Sequence, residues 1–378
     1  VMPDTNFTHP MRKWEDILTI VSGKNQKNVE TDNGQYPIYG SGGIIGRANA
    51  FLCEAGTTIV GRKGTINSPI YVNERFWNVD TAFGIVPGPE LLPKFLYYFC
   101  RHFNFKDLDK STTIPSLAKR DLLAIKMVVP SLPEQERIVA RIEELFSELD
   151  KAVETLNTTK QQLAVYRQAV LTFHLTPKDN WRICKASEIG EVCLGRQRSP
   201  QNVAKDYPTK YIRAANITED GLDLSDVLEM EFNPIERKKY FLKYNDIVLS
   251  EASGSAKQVG KPAIWKNNLP DCCFQNTVIR HRVIQENPEY VLWYYKFLYT
   301  SGYFARIVGG VGINHLGAKN FSNVSIALPE LNQQQEIVSR IEAQLSACGQ
   351  IEKTIEQSLQ QAEALRQSIL KQAFEGRL

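Results

Sequence analysis

Three stretches of the sequence come close to motifs that bind nucleotides or a methyl donor. Residues 254–262 (GSAKQVGKP) place five residues between the glycines where a P-loop has four, and Pro262 stands where a Ser or Thr must hold magnesium. Residues 40–46 (GSGGIIG) have Ile45 at the last glycine position of a dinucleotide-binding loop. Residues 287–290 (NPEY) have Glu289 in place of the second proline of the Asn-Pro-Pro-Tyr motif of adenine methyltransferases. None of the three supports catalysis.

The histidines and cysteines give no metal or nucleophile pattern either. The five histidines show no ligand spacing and complete no Ser-His-Asp set, and the seven cysteines are an odd set without CxxC spacing. We therefore expect buried thiols in a reducing compartment, no metal, no cofactor and no catalytic residue.

Composition favours a globular protein with more than one domain. The 378 residues are 43% hydrophobic and 23% charged, and domains cluster around 100–150 residues. No apolar run reaches the roughly 18 residues of a membrane span, and the first residues have no signal-peptide pattern. We expect a cytoplasmic protein without membrane contact.

The chain contains an internal repeat. PSLPEQERIVARIEELFS, from Pro130, matches PELNQQQEIVSRIEAQLS, from Pro329, at 9 of 18 positions without a gap, at an offset of 199 residues. The same offset pairs PELLPKFLYYF, from Pro89, with PEYVLWYYKFL, from Pro288. Further upstream the match fades to echoes such as residues 79–81 with residues 275–277. Each half therefore has a variable front and a repeated back.

The repeated backs show a heptad pattern of apolar residues, which predicts two long helices that bury one stripe against a partner. Their equal lengths favour antiparallel pairing within one chain, and an intermolecular coiled coil is the alternative. The predicted pairing positions are Ile138, Ile142, Leu145, Leu149, Leu156 and Leu163 in the first copy and Ile337, Ile341, Ile351, Ile355, Leu365 and Ile369 in the second.

Positive charge is concentrated outside these helices. Residues 131–175 hold five basic and seven acidic side chains, residues 330–375 hold four and seven, and the whole chain carries +3, so the remainder carries +8. Such a surface suits DNA phosphates. The candidate DNA-binding residues, from the Gly-rich loops and the ends of the front domains, are Arg47, Arg62, Lys63, Asn67, Lys119, Arg120, Arg196, Arg198, Lys257, Gln258, Lys261, His315 and Lys319.

The order of parts resembles the specificity subunit of type I restriction-modification enzymes. The resemblance covers nearly the whole chain and is strongest in IPSLAKRDLLAIKMVVPSLPEQERIVARIEEL and INHLGAKNFSNVSIALPELNQQQEIVSRIEAQL. It implies a non-catalytic subunit whose two variable domains each read one half of a double-stranded DNA target. It also implies partners: two modification subunits that methylate adenine, and a restriction subunit that supplies ATP-driven cleavage.

The predicted fold is α+β, with two mixed α/β recognition domains joined by two long antiparallel helices in a pseudo-two-fold repeat. The predicted segments are a first recognition domain (1–130), a central helical spacer (131–176), a second recognition domain (177–329) and a C-terminal helical spacer (330–378). The fronts differ in length, which favours two unlike half-sites. Two alternatives stay open: a coiled-coil scaffold that does not bind DNA, and an enzyme with a cryptic nuclease or transferase site.

Overall fold

The structure is a computed structural model that describes residues 10–198, 206–308 and 314–378. In chain order its elements up to the first long helix are β1 (Met11–Lys13), α1 (Trp14–Ile17), β2 (Leu18–Ser22), β3 (Tyr36–Gly40), β4 (Gly43–Ala48), β5 (Thr57–Gly61), β6 (Ile70–Val72), β7 (Trp77–Asn78), β8 (Ala82–Pro87), α2 (Pro93–His102), α3 (Lys119–Leu123), β9 (Lys126–Val128) and α4 (Leu132–Leu175).

The elements that follow repeat this plan with additions. They are β10 (Arg182–Lys185), β11 (Gly190–Leu194), β12 (Pro208–Ile212), β13 (Ile217–Thr218), β14 (Gly221–Leu222), β15 (Leu228–Glu231), α5 (Pro234–Tyr240), β16 (Ile247–Ser250), β17 (Ala252–Ser253), β18 (Pro262–Ile264), β19 (Cys273–Phe274), β20 (Val278–Val283), α6 (Pro288–Thr300), α7 (Tyr303–Ile307), β21 (Asn314–His315), α8 (Ala318–Ser322), β22 (Ser325–Leu328) and α9 (Leu331–Phe374).

The chain forms two compact units, residues 1–158 with 355–378 and residues 159–354. Each unit contains part of α4 and part of α9, so the compact units differ from the four consecutive segments expected from the sequence. The physical reason is that each long helix packs its apolar side chains into the cores of both units.

The two units share one sheet topology. The first has an antiparallel sheet in the order β2-β8-β5-β6 and a smaller sheet β4-β3-β7, in which β3 and β7 run parallel. The second has β11-β20-β16-β18 and β15-β12-β19, in which β12 and β19 run parallel. In each unit the strand before the first sheet pairs with the strand before a long helix, β1 with β9 and β10 with β22. The predicted α+β fold with an internal repeat is confirmed.

The repeat therefore extends into the fronts, where the sequence match fades. The Arg62 amide donates to the Thr81 carbonyl at 2.7 Å, and the Glu251 amide donates to the Thr277 carbonyl at 2.8 Å. These two bonds link equivalent strand ends, in agreement with the faint echo between residues 79–81 and 275–277. Within the described residues, helix α5 and the hairpin β13–β14 of the second unit have no counterpart in the first.

Strands β5 and β8 form the middle of the first unit's sheet because both faces of their apolar runs are covered. TTIVG in β5 is fully buried, and helix α2 buries Phe95, Leu96 and Phe99 in the same unit. Gly84 in β8 is required by this packing, since a Cβ there would lie 2.5 Å from the Cys53 Sγ. The core extends to the start of α4 and the end of α9.

A buried glutamine joins the start of α4 to the preceding domain. The Gln135 side chain is fully buried; its Oε1 accepts from the Leu92 amide at 2.8 Å, and its Nε2 donates to the carbonyls of Glu90 and Pro130 at 2.8 and 2.9 Å. All three partners lie in backbone that would otherwise be left unsatisfied near a helix start. This residue explains why a glutamine stands inside the repeated block.

Gln334 makes the same connection in the second unit. Its Oε1 accepts from the Asn287 amide at 3.0 Å, and its Nε2 donates to the Pro329 carbonyl at 2.9 Å. Because Asn287 here takes the place of Leu92, helix α6, which begins at Pro288, corresponds to helix α2, which begins at Pro93. The sequence match of Pro89 with Pro288 is therefore wrong by four residues.

The long helices pair antiparallel within the chain. In the first unit Ile142 and Phe146 of α4 share a core with Ile369 and Ala373 near the end of α9. In the second unit the order is reversed along α9, with Arg167 bound to Glu352 at 2.7 Å and His174 Nε2 3.1 Å from the Gln344 Oε1.

The predicted pairing positions divide into three groups. The side chains of Ile138, Ile142, Leu163, Ile341, Ile355 and Ile369 are buried. Those of Leu145, Leu149, Leu156 and Ile337 are half-buried. Ile351 and Leu365 are 46% and 50% exposed, so the helix pairing does not bury them. An α-helix drifts by about 20° per heptad against a strict 3.5-residue repeat, so a regular pattern does not keep every position inside.

Candidate nucleic-acid interface

Five cationic side chains line one surface cleft of the first unit. The cleft has a volume of about 580 Å³, and its cations are Arg62, Lys63, Lys110, Lys119 and Arg120, against one carboxylate, Asp121. Four of the five are among the residues predicted from the sequence.

Backbone pairing brings the two parts of the cleft together. Arg62 and Lys63 follow β5, whereas Lys119 and Arg120 open α3 more than fifty residues later. The Leu117 amide donates to the Arg62 carbonyl at 2.9 Å, and Lys63 forms a bridge with Ser116. The block that precedes each long helix thus returns to the end of an inner strand of the sheet, β5 in the first unit and β16 in the second.

The cleft keeps most of its positive charge available. Lys110 Nζ lies 2.9 Å from the Asp121 Oδ2, and this hydrogen bond is the main reason that the pKa of Asp121 is lowered. The Arg120 guanidinium is 88% exposed and lies 3.6 Å from the same carboxylate. Lys119 Nζ donates to the Ile20 carbonyl at 2.7 Å, which fixes its position and leaves its charge uncompensated. Such a cleft suits an anionic backbone.

Two predicted residues of the first unit make hydrogen bonds to backbone groups within the protein. The Arg47 Nε donates to the Gly34 carbonyl at 2.7 Å and Nη2 to the Gln35 carbonyl at 3.3 Å, which holds the approach to β3. Asn67 Oδ1 accepts from the Phe105 amide at 2.7 Å. Neither lines the basic cleft, and both residues are exposed, so their contact with DNA stays a prediction.

Two predicted residues of the second unit are also engaged inside the protein. The Arg196 Nε lies 2.7 Å from the Glu236 Oε1, its Nη1 donates to the Glu231 carbonyl at 2.6 Å, and its guanidinium lies over the Phe232 ring. The Lys261 side chain is 11% exposed and pairs with Glu219 at 3.1 Å. Both side chains are largely buried and form ion pairs within the protein, so less of their charge is available at the surface.

The remaining candidates of the second unit are exposed. Lys257 and Gln258 lie on a short 3-10 turn after β17, Lys319 lies on α8, and Arg198 ends the described part of its loop. Residues 199–202 of the GRQRSPQN loop lie outside the described residues. His315 ends β21, and its Nδ1 lies 3.2 Å from the nearer carboxylate oxygen of Glu251.

Sequence reasoning missed two groups of basic residues. Lys110 lies in the basic cleft, and its signal was a cation just ahead of the repeated block. Helix α5 presents the exposed Lys238 and Lys239, and a shallow cleft of about 570 Å³ beside it is lined by Arg237, Lys238 and Lys243. The signal for the second group was the basic run ERKKY inside the extra sequence of the second front.

The motif-like stretches have packing roles. Gly260 of the P-loop-like stretch has φ +80°, and a Cβ there would lie 2.4 Å from the Phe304 ring, so Gly260 allows close packing.

Three of the buried cysteines are not activated as nucleophiles. Burial raises the pKa of the thiols of Cys53, Cys272 and Cys273 to about 12. Among the described residues no group of His, Cys, Asp or Glu could hold a metal ion, and no helix is both long and apolar enough to cross a bilayer.

Comparison with known proteins points to one family. A family model described as the type I restriction modification DNA specificity domain matches residues 10–163 and again residues 178–361. The chain is 21% identical over 389 residues to the specificity subunit of the type I restriction enzyme EcoDI of Escherichia coli, covering 96% of this chain and 87% of that protein. It is 24% identical over 357 residues to the EcoBI specificity subunit of Escherichia coli, covering 85% and 73%.

Solved structures share the fold. The chain matches a chain from a study of complex assembly and conformational transition of the type I restriction-modification system, with a TM-score of 0.76 and 16% identity. The match covers 98% of this chain and 100% of that chain. It also matches the HsdS subunit from Thermoanaerobacter tengcongensis with a TM-score of 0.62, 16% identity and full coverage of both chains.

Proposed function

Because this chain belongs to the family of type I restriction-modification DNA specificity subunits, we propose that each of its two units reads one half of a bipartite, asymmetric DNA target. Its relatives are non-catalytic subunits that confer DNA sequence specificity, and the chain is a subunit of that kind. The observation that carries the proposal is the cleft of five cationic side chains in the first unit. It lies where the end of β5 meets the start of α3.

The duplication supports a target in two parts. A protein with two copies of one topology can present two similar surfaces to the two halves of a DNA site. The copies differ in front, since α5 and β13–β14 occur in the second unit, and this supports unlike half-sites. In this proposal α4 and α9 set the separation of the half-sites and dock two modification subunits, which carry out the methylation.

The same proposal names the wider assembly. The modification subunits supply the methyl-transfer chemistry that this chain is not expected to perform, and a restriction subunit supplies cleavage in a complete system. The protein works where the chromosome is accessible, in the cytoplasm. DNA binding by the isolated chain rests mainly on phosphate contacts and falls as salt is raised.

The direct test is to express the chain with its modification partner and map methylated adenines across a genome. We expect one interrupted, asymmetric motif that depends on this chain. A methylome without such a motif contradicts the proposal. In a salt titration, binding that does not weaken with ionic strength would favour the coiled-coil scaffold.

A double substitution tests the basic cleft. Arg62→Ala with Lys63→Ala removes two cations, so the slope of log affinity against log salt falls by about 1 to 2 and one half-site becomes weaker. The control is Arg75→Ala, which removes one exposed arginine that pairs with Glu54 outside the cleft. An effect on affinity that is equal for each cation removed in the two variants would show that net charge, and not the cleft, is responsible.

A further inference from the structure

The two units carry opposite charge at one equivalent backbone position. The Leu117 amide donates to the Arg62 carbonyl at 2.9 Å, and the Leu316 amide donates to the Glu251 carbonyl at 2.9 Å. Together with the equivalent amide bonds of Arg62 and Glu251 described above, this places Glu251 where the first unit has Arg62. By the same register His315, the residue before Leu316, takes the place of the residue before Leu117.

Glu251 and His315 form a pair that the first unit cannot make. Strands β17 and β21 pair Ala252 with His315, which sets the imidazole beside the Glu251 carboxylate. Its Nδ1 lies 3.3 and 3.2 Å from the two carboxylate oxygens, and the Gly317 amide donates to the same carboxylate at 3.3 Å. The Glu251 side chain is 8% exposed and that of His315 is 54% exposed. The buried Glu251 carboxylate thus holds the His315 imidazole in position, and the exposed imidazole is the group that can contact a ligand.

The Glu251 carboxylate determines which ring nitrogen of His315 can bind a ligand. An ionised carboxylate only accepts hydrogen bonds, so the Nδ1 of His315 carries the proton that it shares with Glu251. In the neutral imidazole the second nitrogen, Nε2, is then an acceptor. Arg62 and Lys63 in the first unit are donors only. At equivalent positions the first unit therefore presents hydrogen-bond donors, and the second unit presents an acceptor.

DNA base edges distinguish these two characters. In the major groove guanine presents two acceptors, whereas adenine and cytosine each present an exocyclic amino donor. The negative charge of the buried Glu251 carboxylate also disfavours a DNA phosphate beside His315. Lys319, four residues beyond His315, is exposed and can contact the phosphate backbone of the DNA.

We propose that His315 determines base preference in the second half-site by accepting a hydrogen bond from an exocyclic amino group of adenine or cytosine, and that Glu251 is the residue that positions it. The inference rests on the proposed function of the two units. It goes further by naming the atom, the chemical group that it recognises and the reason that the two half-sites differ.

The test uses the full chain with its modification partner at pH 8, on duplexes that carry the target found for the wild type. At each position of the second half-site, adenine is replaced by purine, which lacks the N6 amino group, or cytosine by 2-pyrimidinone, which lacks the N4 amino group. At one position we expect the wild type to lose about 5- to 20-fold in methylation rate, the lower part of the range for a bidentate base contact. Purine and 2-pyrimidinone together show which of the two bases is read.

Variants assign the effect to the pair. His315→Ala should methylate the natural target about 5- to 20-fold more slowly and lose nothing further on the substituted duplex. Glu251→Ala should behave in the same way, whereas Glu251→Gln should restore discrimination, because its carbonyl oxygen can still accept from Nδ1. A purely structural role for Glu251 would not produce that rescue at a single base position. Arg62→Ala with Lys63→Ala is the comparison variant: it should slow methylation by weakening the first half-site and leave the discrimination at this base of the second half-site unchanged.

The outcomes separate the two proposals. If the wild type directs no methylation to a two-part motif, the proposed function fails. If it does and His315→Ala keeps wild-type discrimination at every base, only the inference is overturned. Should Glu251→Ala fail to fold, the exposed His315→Ala variant still decides.

Discussion

The buried glutamine that joins α4 to its domain gives a prediction that does not depend on function. Gln135→Ala removes three hydrogen bonds at a fully buried position and leaves the Leu92 amide and the carbonyls of Glu90 and Pro130 without their partner. Each orphaned buried group costs about 1–3 kcal/mol, and partial relaxation or water entry recovers some of this. We expect the first unit to lose about 3 kcal/mol.

The assay combines thermal unfolding with hydrogen exchange followed by peptide. For a unit of this size about 3 kcal/mol corresponds to a drop in Tm of about 6–12 °C. Lost protection should be confined to α2 and the first turns of α4, and Gln334→Ala is the matched variant that should affect α6 and α9 instead. A drop of less than about 1 °C, or a loss of protection spread evenly over both units, would refute the reasoning.

Gln135→Glu sharpens the same argument. A carboxylate can still accept from the Leu92 amide but faces two carbonyls with no donor, so at neutral pH the variant should be at least as unstable as Gln135→Ala. Protonation restores one donor, so its deficit should shrink as pH falls. A Glu variant as stable as the wild type at neutral pH would contradict the assigned bonds.

Two further predictions concern packing and pH. Ile142→Ala, at a fully buried seam position, should cost about 2–4 kcal/mol in thermal unfolding, whereas Leu365→Ala, at a half-exposed position, should cost under about 0.5 kcal/mol; equal costs would contradict the observed seam. Burial lowers the pKa of His281 to about 4, below its usual value near 6.5, so the unfolded chain binds the proton first. The free energy of unfolding of the second unit should therefore fall by up to about 3 kcal/mol as pH drops from about 6.5 to about 4. In thermal melts recorded across this pH range, His281→Asn should flatten the dependence of stability on pH. A variant with the wild-type dependence would exclude His281 as the cause.

The general architecture was readable from the chain. The heptad stripes and the gapless repeat predicted both long helices, their pairing and the duplication, because helical periodicity and an internal copy are properties of local sequence. The echo of residues 79–81 in residues 275–277 also proved to mark equivalent strand ends. The Pro89 match failed because the segment from the start of α2 to Leu117 is four residues shorter than the segment from the start of α6 to Leu316, and a fixed offset cannot detect such a difference.

The interface was only partly readable. Residue type identified Arg62, Lys63, Lys119 and Arg120 as candidates, but their assembly into one cleft depends on a backbone pairing between segments more than fifty residues apart. Arg196 looked the same in sequence, yet its charge is neutralised by Glu236, forty residues away.

The sequence by itself determined the period, the repeat and the shortage of catalytic motifs, since these are set by residue type and spacing along the chain. Only the tertiary structure decided which cations remain free, which heptad positions face inward and that Glu251 stands where Arg62 stands in the other unit. The physical reason is that charge compensation and burial act over a few ångströms in space, and distant segments come that close only in the folded chain.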